Sequence, residues 1–589
     1  MVSFKNFYLI IQKLKFDKFF LFFFLVCLIS ALLEVISIGS ILPLISLVSN
    51  EGLIKTYPKI YNLLIFFSPL NLFELDISDE VKVIVSVCFL TFLIFLFRFF
   101  FQIFTDWVKA SFIYNLEYSM ANKLFKNVMY APYEFHLKSN SSDFHRDIQN
   151  NIGYFSATAN AITVLMIEIL IIIGLIILAL KINFFATVII IFFLTSFGLL
   201  FLNITKKVNF SLGKDVHESS QSRVKNLIEG LGGIKEILIF NKLETFISQF
   251  KKSNSRLTNA KKKNTVIGNL PRFIVEFLLI TVLLFALVII TFTANSISGN
   301  LTIIGFFVAT FIRVTPSAYR IISSLQRVKF TQKILQSLRK NIFFFDELAR
   351  NNQSPKLKVK KNNLIEIRDK IKINNLNFSY DPSRNIFSDL NLEIKVGDTI
   401  GIFGDSGSGK STFVNLLIGM LEPKSGEILI NNKNISSNLE NWKSNIGYVP
   451  QNIFLMDDTF KKNISFDFED GLENTERLMY CIRQADLENF INSLPNGLNT
   501  VVGERGSRIS GGQLQRVGIA RALFHDPKIL IFDESTSALD NETELEIMKN
   551  IYSFKNKKTL IIVTHKKELL KVCDKIYKLE NGTFKVDEK

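Results

Sequence analysis

At 589 residues the chain is too long for one hydrophobic core, so at least two domains are expected. Hydrophobic residues make up 48% and Phe alone numbers 58, which excludes an ordinary soluble enzyme and puts part of the chain in lipid. The formal charge of +16 would suggest nucleic acid on a soluble protein, but no basic patch is interleaved with aromatics. Lysines and arginines bordering membrane spans account for that charge, and no nucleic-acid partner is expected.

In chain order, Lys5, Lys13, Lys15 and Lys18 precede an apolar stretch over residues 19–48. That stretch is too long for the core of a signal peptide and lacks a small-residue cleavage site. It reads as a membrane helix entered from the cytoplasm. Further apolar runs of about the 20 residues a bilayer requires fall at 81–104, 159–180, 184–204, 273–293 and 301–322. Six spans are therefore expected within a transmembrane domain over 1–350. An even count keeps the N-terminus and the chain beyond the last span on the same, cytoplasmic side. The long segments 106–156 and 205–272 are rich in Lys and Arg, as inner segments are. Their helical periodicity predicts extensions beyond the membrane, with tips near 133–144 and 231–240. Residues 61–67 form an apolar patch too short to span, either an interfacial helix or a packed loop.

Charges within the spans call for a role. Arg98, Arg272, Arg313 and Arg320 all fall toward the inner half. One reading is snorkelling to the interface; the other is a cationic belt for an anionic headgroup, since guanidinium binds phosphate oxygens in a fork. Glu34, Glu168 and Glu276 also lie in spans and could pair with these arginines. Cys27, Cys88, Cys481 and Cys573 form no CxxC pair and no cluster with His, so free buried thiols are expected.

A polar, basic stretch over 351–364 with one proline reads as a linker. From 365 to 589 strand-like and helical runs alternate, as in a soluble α/β domain. Within it GDSGSGKST (Gly404, Asp405, Ser406, Gly407, Ser408, Gly409, Lys410, Ser411, Thr412) matches a P-loop between an apolar strand and a helix. Its glycines let backbone N–H groups wrap a phosphate at a helix start. Lys410 would reach the β- and γ-phosphates of ATP, and Ser411 would ligate Mg²⁺. Residues 528–535 read as a buried strand ending in Asp533, suited to hold Mg²⁺, and Glu534, suited to polarise the attacking water. Between them, Ser510, Gly511, Gly512 and Gln513 open a helix that can cradle a phosphate.

This ordered set resembles ABC transporters of the exporter type, as a half-transporter with one membrane domain and one nucleotide-binding domain. The resemblance implies a fold of a six-helix transmembrane domain with long cytoplasmic helical extensions, followed by an α/β P-loop ABC nucleotide-binding domain. It implies that Tyr380 stacks adenine, that Gln451 senses Mg²⁺, and that Ser510 to Gln513 close on a partner's ATP. Asp540 falls in the D-loop, His565 is the switch histidine, and residues 502–506 resemble a stretch that couples the domains. The departures, Ile509, Ser535 and the residues after His565, remove no catalytic group. The membrane half is similar to bacterial flippases of the PglK type, around residues 34–43, 270–272 and 313–320. That implies a homodimer in the bacterial inner membrane flipping a polyprenyl-pyrophosphate oligosaccharide, with the four arginines on the pyrophosphate. The alternatives are an MsbA-like exporter of lipid A, phospholipid or drugs and, in a different class, an ATP-gated channel or regulatory subunit. A peptide exporter with a fused cysteine protease is not expected, since no Cys/His domain precedes the first span.

Overall fold

The structure, a computed structural model, describes residues 2–41, 43–44, 58–73, 78–139, 141–182, 184–293, 301–351, 367–381, 384–467, 475–503, 509–534 and 541–587. The chain divides into two compact units, one of Met1–Ala131 and Ser139–Asn352, the other of Pro132–Lys138 and Gln353–Lys589.

The first unit is helical. Its elements are α1 (Val2–Lys13), α2 (Asp17–Gly39), α3 (Pro58–Phe66) and α4 (Asp79–Met129). After α5 (Tyr133–Lys138), which belongs to the second unit, come α6 (Ser141–Arg146), a π-helical turn at Asp147–Asn151, and α7 (Ile152–Ile182). Next are α8 (Phe184–Gly232), α9 (Ile234–Ile239), α10 (Leu243–Thr293), α11 (Leu301–Phe330) and α12 (Gln332–Asn351). The apolar runs read from the sequence lie in α2, α4, α7, α8, α10 and α11, except that the first, 19–48, passes the end of α2 at Gly39, and its residues 42 and 45–48 lie outside the described residues. Among the described residues, three helices are long and apolar enough to cross a membrane: Asp17–Gly39, Asp79–Met129 and Phe144–Lys181. α4, α8 and α10 run well past the expected spans, and the chain turns through short helices at both expected tips, α5 and α9.

Close approach sets where the helices meet. A Cβ at Gly213 of α8 would overlap the carbonyl oxygen of Phe330 at the end of α11, so only glycine lets these backbones touch. The apolar patch at 61–67 is a helix packed on one face, with Tyr61, Leu64 and Ile65 against Val83 and Val87, while Leu63, Phe66 and Phe67 are exposed. Cys27, Cys481 and Cys573 are free and buried, as expected, but Cys88 is free and exposed on α4.

A seam of charge crosses the apolar helices. Glu34 of α2, with its side chain 3% exposed, accepts from Arg98 of α4 through Nη2 at 2.6 Å and Nε at 3.0 Å. The Nε of Arg313, on α11, donates to the same carboxylate. Arg313 also donates to Ser317 Oγ at 3.1 Å, and Ser317 in turn donates to Glu168 of α7 at 2.6 Å. Arg320 Nη1 closes on the other Glu168 oxygen at 2.5 Å. The sequence alone leaves the pairing open, with snorkelling and a belt for an anionic headgroup as its two readings of the arginines. In the structure Arg98, Arg313 and Arg320 contact the carboxylates of Glu34 and Glu168, because a charge among apolar helices needs a partner. Arg272 and Glu276 are exposed on α10.

The second unit is built on two sheets. The strands are β1 (Lys370–Phe378), β2 (Phe387–Lys395), β3 (Thr399–Phe403), β4 (Ser425–Ile430), β5 (Lys433–Asn434), β6 (Ile446–Val449), β7 (Ile529–Asp533), β8 (Thr559–Val563), β9 (Lys575–Glu580) and β10 (Thr583–Val586). One sheet has the order β2-β1-β4-β5 and the other β10-β9-β3-β8-β7-β6. Along β9-β3-β8-β7-β6 every pairing is parallel. Alternate residues feed separate cores: Leu530, Phe532, Leu560 and Ile562 join one, Ile529, Ile531, Ile561 and Val563 the other. Burial on both faces is why these strands read as unbroken apolar runs. The expected linker, 351–364, lies outside the described residues apart from Asn351, where α12 ends.

Truncation of Glu34 tests the seam. Glu34→Ala leaves the guanidinium groups of Arg98 and Arg313 facing each other without their shared counter-charge. Breaking a buried pair typically costs about 3–5 kcal/mol, so the melting midpoint of the full chain in lipid nanodiscs should fall by several degrees. An unchanged midpoint would show that the pair is solvated and weak.

Candidate functional site

Four chain segments far apart in sequence arrive at one edge of the parallel sheet. The glycine loop follows β3, the acidic pair ends β7, His565 follows β8, and Gln451 follows β6. Since β3, β8, β7 and β6 are neighbours and parallel, these are all carboxyl ends, where ligands of α/β sheets bind.

The loop enters α13 (Lys410–Ile418) through Gly409, which has φ 105°. A Cβ there would be strained by conformation and would lie 3.0 Å from Ile386 Cγ2. Gly407 also has positive φ, at 81°, with open space where a side chain would go. Asp405, Ser406 and Ser411 are exposed, whereas Lys410 is buried. Its Nζ donates to the carbonyls of Gly404 at 2.8 Å and Asp405 at 3.1 Å, and lies 3.8 Å from Glu534 Oε1. Ser408 Oγ is buried and has no hydrogen-bond partner. An ammonium at the centre of the loop and an unanswered hydroxyl in its wall fit a group rich in anionic oxygens.

β7 is buried throughout and carries Asp533 to the sheet edge. Burial holds the Asp533 carboxyl above its usual range, the hydrogen bond from Tyr448 partly offsets this, and Glu534 pushes it up again while Lys410 draws it down. Tyr448 of β6 donates its hydroxyl to Asp533 Oδ2 at 3.3 Å. Glu534 lies past the strand with φ 48°, a left-handed conformation rare outside glycine, fixed by its N–H donating to Val563 O at 2.9 Å. That bend turns its carboxylate toward Gln451, whose Nε2 donates to Oε2 at 2.8 Å. Gln451, Lys410 and Glu534 therefore form one cluster, with Asp533 beside it.

The remaining expected residues take separate positions. Tyr380 is half-buried, with its ring edge-on to Phe378 at 5.0 Å and its hydroxyl 3.3 Å from Thr412 Oγ1. His565 is exposed just beyond β8. Ser510 caps α14 (Gly511–Phe524) in a full capping box: Gln513 N–H donates to Ser510 Oγ at 3.2 Å, and Ser510 N–H donates to Gln513 Oε1 at 2.8 Å. Ser510 and Gly511 are exposed, so this helix start is open to a ligand. Asp540, with the whole of 535–540, and residues 504–506 lie outside the described residues.

Two features escape the sequence reading. Tyr448 takes part in the acidic cluster, and its signal is its register on β6, two residues from Pro450. Arg327 is the other. It comes after Arg313 and Arg320 at a spacing of seven, which keeps all three on one face of α11.

Comparison with known proteins agrees with this geometry. Residues 387–537 match the family model "ABC transporter". The leukotoxin translocation ATP-binding protein LktB of Mannheimia glucosida is 42% identical over 221 residues, 37% of this chain and 31% of that protein. The chain thus spans about a third of the length of these relatives. An uncharacterized ABC transporter ATP-binding protein of Bacillus subtilis, YwjA, is 29% identical over 478 residues, 80% of each chain. A bacterial Atm1-family ABC exporter solved with ATP bound shares the fold, with TM-score 0.71 at 20% identity, covering 95% of this chain and 93% of that one. The second unit therefore carries an ABC transporter ATPase domain, and the chain is a membrane protein with the fold of an ABC exporter.

Proposed function

We propose that two copies of this chain form an exporter in a bacterial inner membrane, with six spans per copy and the N-terminus and ATPase domain in the cytoplasm. Its cargo is a lipid-linked oligosaccharide on a polyprenyl pyrophosphate, flipped for assembly of surface glycans or glycoproteins. The observation that carries this reading is the row of Arg313, Arg320 and Arg327 along one face of α11, a helix whose first half is an apolar run. Such a row favours an anionic group that travels with a lipid over a neutral drug.

The residues of the ATP site fit their roles. Glycine-loop N–H groups and Lys410 would hold the β- and γ-phosphates, with Ser408 Oγ free to donate to them. Tyr380 would lie against the base. When bound, Mg²⁺ neutralises the phosphate oxygens, and Ser411, Asp533 and Gln451 are the side chains suited to hold it. Glu534, already oriented by Gln451, would accept the proton of the attacking water. His565 would stand by the γ-phosphate. Ser510, Gly511, Gly512, Gln513 and Asp540 would complete the site of a second copy. Closure of the pair would be passed on through the tips at 133–144 and 231–240.

Three measurements test the reading. Glu534→Gln should keep nucleotide binding but lower phosphate release by about 100-fold or more, the usual scale for a general base. Near-normal turnover would remove Glu534 from that role. Tyr448→Phe deletes the hydrogen bond that favours ionised Asp533. The carboxyl, already raised by burial, should then take its proton at still higher pH. The Mg²⁺ needed for half-maximal ATPase should climb more steeply in the variant than in the wild type as pH falls from 7.5 to 5.5; parallel curves would show that Tyr448 does not tune Asp533. Finally, ATPase in nanodiscs should be stimulated by polyprenyl-pyrophosphate oligosaccharide and not by lipid A. The reverse result would favour the lipid A exporter, and ATP turnover indifferent to both would favour a channel or regulatory subunit.

A further inference from the structure

The exposed imidazole of His565 has no hydrogen-bond partner among the described residues, so the main chain around it decides where it stands. That main chain is pinned on both sides. Thr564 N–H donates at 3.1 Å to the carbonyl of Ile402 on β3, the strand that leads into the glycine loop. Thr564 Oγ1 accepts from Lys566 N–H at 3.1 Å, which folds 564–566 into a tight turn with His565 between its ends. The far end of that turn is then tied down through a side chain: Lys566 Nζ donates to Glu544 Oε2 at 2.7 Å.

Glu544 lies on α15 (Asn541–Tyr552). It precedes Ile547, Met548 and Ile551 by three, four and seven positions, so it shares the helix face that these core residues bury, and it is itself only 3% exposed. An apolar side chain would be less costly there. A buried carboxylate must be answered, yet Glu544 Oε1 is buried without a hydrogen-bond partner. Ion pairs of this kind are weak sources of stability, since two apolar residues of similar volume often do as well or better. What the pair does supply is a fixed point. It joins α15 to the turn after β8, two segments that no strand pairing connects.

We propose that Glu544 is a positioning residue of the ATPase: through Lys566 it holds the turn that presents His565 to the γ-phosphate. This rests on the role given to His565 above. The near end of the turn is registered on β3, which also carries the loop of Lys410, so the ion pair fixes His565 relative to the groups that receive the phosphates. Glu544 touches no nucleotide in this scheme. Its effect is geometric, and a displacement of about 1 Å at a reacting group can cost about 100-fold in rate.

The test is steady-state ATPase of the full chain in nanodiscs with Mg²⁺ present. Combining Glu544→Met with Lys566→Met removes the pair without stranding a buried charge, an exchange that is often neutral or stabilising. We expect the melting midpoint to hold while kcat falls about tenfold or more and the KM for ATP stays within about twofold. Lys566→Ala leaves the core face of α15 as it is and should lower kcat in the same way, which keeps the test decisive should the double variant fold poorly. Lys566→Arg can reach the same carboxylate and should keep most of the turnover. In a His565→Ala background none of these changes should lower kcat further, because the residue they position is gone. Wild-type kcat in the folded double variant would overturn the proposal and leave the pair a fastening. Losses that add to that of His565→Ala would overturn it as well, since Glu544 would then act elsewhere. Full turnover in His565→Ala alone would instead remove the role of His565, and the proposal with it.

Discussion

A charge held away from water must be answered by an opposite charge or by hydrogen bonds, and both units of this chain are arranged around that demand. In the helical unit Glu34 and Glu168 would be untenable alone among Phe, Ile and Leu. They draw Arg98, Arg313 and Arg320 onto themselves, and the ion pairs join α2, α4, α7 and α11. In the ATPase unit buried Lys410 rests on two loop carbonyls, and buried Asp533 takes the hydroxyl of Tyr448. The two cases differ in consequence. The seam is closed upon itself at its Glu34 end, so it acts as a fastening. Lys410 is held by weak acceptors that an incoming phosphate can displace, so it remains available for a ligand.

Topology explains why the ATPase motifs are scattered in sequence and gathered in space. Gln451, Glu534 and His565 come within two residues of the ends of β6, β7 and β8, and β8 is inserted between β3 and β7. Parallel strands need long crossovers, so neighbouring ends must come from distant segments. The same geometry fixes the acidic pair. Asp533 finishes a strand buried on both faces, and one further residue in a left-handed bend is enough to turn Glu534 out of the strand's line toward Gln451.

How legible each feature is in the sequence depends on the range of the interaction that makes it. The strand at Thr399–Phe403, the glycine loop and the helical character of the apolar runs are local patterns, and the structure follows them except past Gly39, where α2 ends before the expected limit of the first run. The apolar pattern predicts an acidic strand over 528–535, but β7 stops at Asp533 because Glu534 leaves the extended conformation, which no residue type announces. The pairing of Glu34 is beyond the reach of sequence: its partners lie 64 and 279 residues away, and only packing decides between them. Arg327 is a different case, because its spacing of seven from Arg320 is plain. The apolar span ends at 322, and the stripe continues past that limit to Arg327 on the same helix.

That continuation changes what the stripe means. Arg313, Ser317, Arg320, Ser324, Arg327 and Thr331 recur at intervals of four and three, so they form one polar face about 27 Å long on α11 at 1.5 Å per residue. Along it the surroundings change from closed to open. Arg313 is packed beside Glu34, Arg320 is held on one side by Glu168 and reaches a cavity walled by α7, α8, α10 and α11 on the other, and Arg327 is exposed at the cavity wall. A helix that needed charge only to fasten itself would have no use for the lower half of this face. A helix that only recruited anions would not bury two carboxylates against the upper half. The gradient from paired to open arginine therefore confines the fastening of α11 to α2, α4 and α7 to the first half of this face.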